Sequence, residues 1–496
     1  MADRHRRASR RTPGPPAADP PPEPSGPSPA ERAAAIRESV RRGEVHDLGP
    51  LFVALSDPAP GVRETAAVAL GMLKDPRSRT TLTTALDDPE PAVRAAAVEA
   101  LGEIGRAESR PFLEAMLDDP EAPVRAKAAL ALIPLRDARS LPALERRASD
   151  PAPAVRQSVA TALGRIAPEA SLGRLELLLK DPVDRVRREA VLGIGRSSDS
   201  SSLAPVRAAL SDPARRVRVA AAVVLGRHRD RGSLPLLLAL LESPETWEKP
   251  AVLVALGRIG DPSATAPLVA FAEHPSHWIR VCAVHALGEL KVPESRSVAR
   301  QHLKDPYWSV RGAAAIALGV VGTSDDLTEL VAALRDEHAW VRRGAVYALG
   351  QLGLAETSTR LRECLGDPAA EVRLAAVWAL GHLRDDGARD ELVRLLYRTR
   401  DAVPTPEAPG DGRLASDAES RLFDAVVQAL GRIAHAVPDP LIERSLLDAR
   451  DRLSEEELDR LARLPLPELS PDHPAPTLRT LFEAALPSSV GDEESG

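Results

Sequence analysis

Three sets of residues in this chain have side chains that could do chemistry. Histidines cluster between 274 and 382 with one cysteine among them, and aromatic rings gather in the same region. The third set is a row of aspartates on a 31-residue grid, each followed six positions later by an arginine in most cases. A row of carboxylates could exchange protons, and a row of guanidinium groups could follow a phosphate backbone. The aspartates are Asp57, Asp88, Asp119, Asp150, Asp181, Asp212, Asp305, Asp336 and Asp367.

The histidine cluster raises the question of a metal site. Imidazole nitrogens and a thiolate are the ligands that zinc prefers, and an exposed thiolate of Cys282 could also be a nucleophile. No fixed ligand spacing accompanies these residues, and we find neither a phosphate-binding glycine loop nor a Ser-His-Asp order. We therefore predict no metal site and no catalytic residues. The histidines are His274, His277, His285, His302, His338 and His382.

Composition narrows the fold class. The chain has 496 residues, which exceeds the size of one compact core and predicts several domains or a repeat array. Hydrophobic residues make up 44% but aromatic residues only 3%, which favours closely packed helices. The net charge of −7 argues against binding to nucleic acid or an acidic membrane. Two cysteines and the lack of a long apolar run predict a cytoplasmic protein without a membrane span.

The 31-residue period predicts a solenoid with two helices in each repeat. In the second repeat, residues 78–87 form the predicted helix A and residues 91–104 form helix B, whose apolar residues recur at helical spacing. Asp-Pro marks the A–B turn, and we expect Asp88 to cap the start of helix B. Gly102 ends the Ala-Leu-Gly motif inside helix B. We expect a neighbouring helix to approach closely there.

The period also defines the predicted organisation. The boundaries are a disordered basic and proline-rich tail (1–29), a capping helix (30–45), eleven repeats (46–386), a twelfth repeat (387–436) interrupted by a loop (401–416), C-terminal capping helices (437–486) and an acidic tail (487–496).

The A helix, the D-P-x-x-x-V-R turn and the A-L-G motif of helix B together resemble the HEAT-like repeat of the phycobilisome-lyase type. The resemblance covers roughly residues 31–434 and implies a right-handed α-solenoid of about twelve repeats. In such repeats the turn Asp and the helix-B Arg form a ladder between neighbours. The resemblance therefore implies a structural role for Asp57, Arg63, Asp88, Arg94, Asp150 and Arg156.

The wider family includes scaffolds, bilin lyases and deoxyhypusine hydroxylase, so the resemblance does not select one function. The hydroxylase holds iron with His-Glu pairs on helix B. No repeat of this chain has such a pair after its Val-Arg motif, so hydroxylase chemistry is not expected.

Two positions of helix B vary where the rest of the repeat is constant. All five tryptophans and all three tyrosines lie between 247 and 397, mostly one position before the repeated Val or six after it. Trp and Tyr dominate binding hot spots. We predict that Trp278, Trp340, Tyr347 and Trp378 form one exposed or half-exposed surface on the concave side of repeats eight to eleven. The full set of predicted partner-binding residues there is Trp247, Trp278, His285, Trp308, Trp340, Tyr347 and Trp378.

A basic series lies ten positions after the Val, at Arg165, Arg196, Arg227 and Arg258. The leading hypothesis is a non-catalytic scaffold that binds, in its concave groove, an extended protein segment with acidic and apolar residues. One alternative is a bilin-lyase-like protein that holds a tetrapyrrole on the aromatic repeats, and no other cofactor is expected. Nucleic-acid binding through these arginines and the basic N-terminal arm is disfavoured by the net charge.

Overall fold

A computed structural model describes residues 27–43, 45, 47–198, 203–242 and 248–400, together with 422, 425, 426, 429 and 430. These residues are helical or lie in turns, and no β-strand occurs among them. The helices are α1 (Pro29–Arg41), α2 (Gly49–Ala54), α3 (Pro60–Leu73), α4 (Arg79–Thr84), α5 (Pro91–Ile104), α6 (Arg110–Ala115), α7 (Ala122–Ala131), α8 (Leu141–Arg147), α9 (Pro153–Ile166), α10 (Leu172–Leu178), α11 (Asp184–Ile194), α12 (Ala204–Ala208), α13 (Arg215–Arg227), α14 (Leu234–Glu242), α15 (Lys249–Ile259), α16 (Thr265–Ala272), α17 (His277–Leu290), α18 (Pro293–His302), α19 (Trp308–Val321), α20 (Leu327–Ala333), α21 (Ala339–Leu352), α22 (Ser358–Glu363), α23 (Ala370–Leu383) and α24 (Arg389–Arg400).

The helices alternate between two kinds. Even-numbered helices are the short A helices and odd-numbered helices from α3 onward are the B helices, so that α2 and α3 form the first repeat and α16 and α17 the eighth. The chain divides into two compact units, one ending at Arg174 and one beginning at Leu175. In unit 1 the helices α1, α3, α5, α7 and α9 pack in that order, and in unit 2 the B helices α11 to α23 do the same. The all-α repeat architecture is confirmed, whereas the total of twelve repeats stays a prediction.

The start of helix B differs from the expectation in one detail. Helix α5 begins at Pro91, where a missing N–H costs nothing. The Oδ1 of Asp88 accepts the N–H of Glu90 at 2.9 Å, before the helix begins. Asp88 therefore braces the turn and does not cap the helix, so the expected cap is wrong. The rest of its carboxylate is bonded to Arg63 of the preceding repeat.

Close approach of B helices explains the repeated glycine. A Cβ added at Gly102 would lie 2.8 Å from the Cα of Ala131, and one at Gly257 would lie 2.6 Å from the Cα of Ala286. Real Cβ atoms do not approach backbone so closely, so the prediction of helix contact at this position is confirmed. An Ala-rich helix pressed against a Gly leaves little space for large rings, which fits the low aromatic content.

Several predicted segments lie outside the described residues: most of the N-terminal tail, the loop 401–416, the capping helices 437–486 and the acidic tail 487–496. Helix α1 begins at Pro29, one residue before the predicted first cap, and ends within it. It starts with a capping box in which Ser28 Oγ accepts the N–H of Glu31, and the Glu31 carboxylate accepts the N–H of Ser28. None of the described helices combines the length and hydropathy that crossing a membrane requires.

Candidate interaction surface

The turn aspartates and helix-B arginines meet across successive repeats. Arg63 donates from Nε and Nη2 to Asp88 at 2.7 and 2.8 Å, and from Nη1 to the carbonyls of Asp57 and Pro58 at 2.8 and 3.2 Å. Each guanidinium thus ties its own turn to the turn of the next repeat. The same bidentate pairing joins Arg94 to Asp119, Arg125 to Asp150, Arg187 to Asp212, Arg280 to Asp305, Arg311 to Asp336 and Arg342 to Asp367.

These ion pairs are occupied and largely shielded from water. Arg63 donates two hydrogen bonds to Asp88, which hold the pKa of that carboxyl below its usual value. Arg125 and Asp150 are both buried, and Arg156 donates from Nη1 to the carbonyls of Asp150 and Pro151. Groups that are paired in this way are poor acids and bases, and they cannot form a track for phosphates.

The sequence analysis missed two members of the ladder, Arg32 and Glu248. Arg32, which lies 31 residues before Arg63, donates from Nε and Nη2 to Asp57 at 2.8 and 2.7 Å. Extending the 31-residue grid one period backward would have found Arg32. Because Arg32 makes the ladder contact of a helix-B arginine, α1 takes the place of a B helix before the first repeat. Arg218 pairs with the buried Glu248. Glu248 stands at the position of the repeated Val, so the period offers no signal for this pairing.

Among the described residues, the ladder step from the seventh to the eighth repeat shows no ion pair. Lys249 occupies the arginine position, and its Nζ lies 5.2 Å from the centre of the Phe271 ring. His274 occupies the aspartate position, and its Nδ1 accepts the N–H of Ser276 at 3.0 Å. Burial and the nearby Lys249 lower the pKa of His274, which favours the neutral imidazole. An uncharged ring therefore replaces the carboxylate at the seventh-to-eighth step.

Directly after this step, rings accumulate at the starts of three B helices. We name His277, Trp278, Tyr307, Trp308 and His338 the ring ridge. The His277 and Tyr307 rings stack with centroids 4.4 Å apart, and those of Trp308 and His338 stack at 3.9 Å, both with planes 6° apart. Trp278 lies 5.0 Å from His277. Trp278 and Trp308 are each 36% exposed and Tyr307 is 48% exposed, so the ridge presents large rings to solvent.

The ring ridge also has hydrogen-bond donors that a ligand could use. Burial, together with Arg280, lowers the pKa of His277 and favours its neutral, stacking form. Arg280 lies 5.4 Å from the Tyr307 ring centre while its guanidinium bonds Asp305. Among the described residues, the hydrogen bonds include none from the indole N–H of Trp278 or Trp308, or from the Tyr307 hydroxyl. The ridge therefore combines apolar faces with donors that a ligand could use.

Other predicted rings are less accessible, and the predicted exposed or half-exposed surface is wrong for Trp378. Trp378 is only 5% exposed, because its ring fills the space left beside Gly350 and stacks on Tyr347 at 5.2 Å. Trp340 is half-buried, since its indole covers Gly312 and Arg343 lies 5.1 Å from its centre.

Of three further predicted partner-binding residues, two are half-buried and one lies outside the described residues. Tyr347 is half-buried, and its hydroxyl accepts a hydrogen bond from Gln351 at 3.0 Å. His285 is half-buried in α17. Trp247 lies outside the described residues.

Cys282 is buried, and burial raises the pKa of its thiol to about 12. The thiol stays protonated at neutral pH, which argues against the reactive thiolate considered from the sequence. Within the described ranges, no group of three or more potential ligands is arranged to hold a metal ion. The histidines of this region instead take part in ring stacking and turn bonding.

The four arginines of the basic series lie at or just after the C-terminal ends of B helices. Arg165, Arg196 and Arg227 are exposed, and Arg258 is half-exposed. Arg165 belongs to unit 1 and the other three to unit 2. The ring ridge lies at the opposite, N-terminal ends of its helices. A cation at a helix C-terminus also interacts favourably with the helix dipole, which gives these arginines a second role.

An apolar groove in unit 1 was missed. It measures about 800 Å³ and lies between α1 and α3, with Val68 45% exposed and Met72 66% exposed. Both residues occupy the positions six and ten after the Val, which is the signal that could have found them. The lining residues are Pro29, Ala30, Ala33, Arg37, Val40, Arg41, Gly61, Val62, Glu64, Thr65, Val68, Ala69 and Met72.

Comparison with known proteins identifies the family. The family model for HEAT repeats matches seven overlapping stretches, namely 25–89, 48–133, 117–195, 171–252, 242–319, 298–373 and 327–405. No curated protein matches the sequence.

Among solved structures, yeast importin-β (Kap95p) is 12% identical, with 86% of this chain and 70% of that chain covered and a TM-score of 0.53. Importin-β in an ammonium sulfate condition is 16% identical, with 88% and 71% covered and a TM-score of 0.50. The CpcE–CpcF phycocyanin lyase complex from Nostoc sp. PCC7120 is 20% identical over 55% of this chain and 93% of that chain, at a TM-score of only 0.30. The importin likeness establishes the fold alone, and the repeat matches across residues 25–405 show that the chain belongs to the HEAT-repeat family.

Proposed function

We propose that this protein is a non-catalytic HEAT-repeat scaffold that binds a protein partner along the B helices of unit 2, in the groove that these helices are expected to line. The observation that supports it is the ring ridge. A chain with 3% aromatic residues exposes three large rings side by side and holds two of them by stacking on histidines. Exposed contiguous apolar surface of this kind usually serves an interaction.

The stacking favours binding for an energetic reason. Association costs free energy when flexible side chains must be ordered at the interface. His277 and His338 already fix the planes of Tyr307 and Trp308, so a partner meets rings that are pre-organised. Such rings supply contact area at a small entropic cost, which is how aromatic residues become hot spots.

The expected partner is an extended segment in which apolar and acidic residues alternate or follow one another. Its apolar residues would contact the ring ridge, and its acidic residues would meet Arg196, Arg227 and Arg258. A nucleic acid fits less well, because the net charge is −7 and the ladder arginines are bonded to carboxylates. We propose a cytoplasmic setting, in keeping with the two cysteines of the chain.

Affinity purification with the intact chain tests this function. The wild type is compared with a Trp278→Ala, Trp308→Ala double variant, and with Phe112→Ala as a matched control, since Phe112 is an exposed ring in unit 1. A partner should be recovered at least about tenfold less with the double variant and unchanged with the control. Equal recovery by all three proteins, each with native helical circular dichroism, would show that the ring ridge is not the binding surface.

A tetrapyrrole is the second candidate ligand, favoured by the flat, stacked rings of the ridge. If a bilin or haem binds the ridge, its absorbance spectrum should change when it is mixed with the wild-type protein. The spectrum should not change when it is mixed with the Trp278→Ala, Trp308→Ala double variant. A spectrum that is the same with and without protein would remove this candidate.

A further inference from the structure

We propose that the ring ridge binds the proline-rich segment 12–27 of a second copy of this chain. The inference rests on the proposed function and names its partner. The ridge contains two ring pairs: His277 with Tyr307 at the start of the eighth and ninth B helices, and Trp308 with His338 at the start of the ninth and tenth. Each pair bridges two neighbouring helices, so the pairs are one helix step apart.

The spacing of these pairs matches a polyproline II helix. Packed helices lie about 8 to 10 Å apart, which sets the distance between the pairs. A polyproline II helix has three residues per turn and rises about 3.1 Å per residue, so prolines three positions apart lie about 9 Å apart on one face. One proline ring can therefore rest on each ring pair. The carbonyls of such a helix are unbonded, and the indole N–H groups of Trp278 and Trp308 can donate to them.

The chain itself contains a segment with this pattern. Residues 12–27 read TPGPPAADPPPEPSGP, in which Pro21, Pro24 and Pro27 are three positions apart. Extended at about 3.1 Å per residue, the segment would span about 50 Å, more than the ridge requires. Its end is fastened to unit 1, because Arg32 Nη1 donates to the carbonyl of Pro27 at 2.8 Å. We assign the segment that reaches the ring ridge to a second copy, so that this contact joins two chains.

Charge complementarity favours one alignment of the segment along the ring ridge. Lys304 is exposed on the turn of the ninth repeat, which also carries Tyr307, whereas the turns of the eighth and tenth repeats carry the exposed Glu273 and Glu337. In the segment, Glu23 lies between two of the three evenly spaced prolines. We place Pro21 and Pro24 on the two ring pairs, so that Glu23 faces the turn that carries Lys304 and opposite charges attract.

A labelled synthetic peptide of residues 12–27, titrated into the full chain, tests the contact by fluorescence anisotropy. Replacing Pro21, Pro24 and Pro27 by Ala should weaken binding at least about tenfold, as should the Trp278→Ala, Trp308→Ala double variant. Phe112→Ala should bind the peptide as the wild type does. Lys304→Glu should weaken binding about fivefold, and a Glu23→Lys peptide should restore it.

Sedimentation of the full chain tests the second copy. Association should rise with protein concentration and should be lost when residues 1–26 are deleted. The proposal is overturned by a peptide that does not bind the folded wild type, by binding that does not need the prolines, or by association that survives the deletion. The proposal is also overturned if segment 12–27 binds the ring ridge of its own chain, because that binding would not depend on protein concentration. If a cellular partner still requires Trp278 and Trp308 while the peptide fails to bind, the proposed function stands and this inference falls.

Discussion

The first repeats of unit 1 and the eighth to tenth repeats of unit 2 share one framework and differ at one end of it. In both regions arginines bond the aspartates of the next turn, and a glycine of one B helix touches an alanine of the next. The first turns of B helices in unit 1 contain small residues such as Gly61 and Ala92, whereas those of the eighth and ninth repeats contain Trp278 and Trp308. Residues that hold neighbouring repeats are therefore uniform, and those at the free helix starts vary.

The comparison also separates exposed from buried rings within unit 2. Trp278 and Trp378 both lie on B helices at variable positions, yet one is 36% exposed and the other 5%. Trp378 enters the space beside Gly350 of the preceding helix. A ring becomes part of the packing where the neighbouring helix offers space, and stays available where it does not.

The largest expected effect tests that separation. Trp378→Ala should lower the free energy of unfolding by about 4 kcal/mol, because a buried indole leaves a cavity. Trp278→Ala should cost less than about 1 kcal/mol, since much of its ring already contacts water. Chemical denaturation monitored by circular dichroism measures both. Similar losses for the two variants would contradict the division into packed and available rings.

A second contrast concerns charge in the shared framework. Arg125→Ala should destabilise unit 1 by about 3 kcal/mol, because it leaves the buried carboxylate of Asp150 without its partner. Arg77→Ala removes an exposed pair with Asp75 and should leave the melting temperature nearly unchanged, because solvent screens such a pair. Thermal melts of the two variants provide the measurement. A stable Arg125→Ala protein would mean that the ladder does not support the fold.

The sequence predicts the framework well because the same contacts recur at a fixed interval. The bounds of α5 match the predicted helix 91–104, and the close approach at Gly102 follows from one glycine placed inside a helix. The depth of a ring cannot be obtained in this way. It depends on the side chain that faces it from the preceding repeat, as Gly312 does for Trp340.

Glu248 was missed because its contact, like the depth of a ring, does not recur at the repeat period. Glu248 replaces a turn aspartate from a different position of its repeat, and only the fold brings its carboxylate to Arg218. By contrast, Arg32 obeys the period and escaped notice only because it precedes the first aspartate of the grid.

The close approach of neighbouring B helices at the repeated glycine allows a third test with a matched control. Gly257→Ala should cost about 2 kcal/mol, because the added Cβ would overlap the backbone of Ala286. Gly61→Ala lies in α3 with open space around the added methyl group and should be neutral or stabilising by about 0.5 kcal/mol. Denaturant melts of both proteins compare them directly. A neutral Gly257→Ala would show that the B helices can separate without loss.

The smallest expected effect is a pH dependence confined to the histidine-rich repeats of unit 2. His302 is buried, with Nε2 3.7 Å from Glu273 and Nδ1 3.9 Å from Asp305. Burial lowers its pKa despite these carboxylates. The unfolded chain, with an ordinary histidine pKa of about 6.5, therefore takes up a proton first as the pH falls. The stabilisation is present above about pH 6.5 and is lost as the pH falls through that value toward the lower native pKa, by less than about 1 kcal/mol. His302→Gln should flatten the dependence of the melting temperature on pH between about pH 7 and pH 5. A slope that is the same in wild type and His302→Gln would assign the pH dependence to other groups.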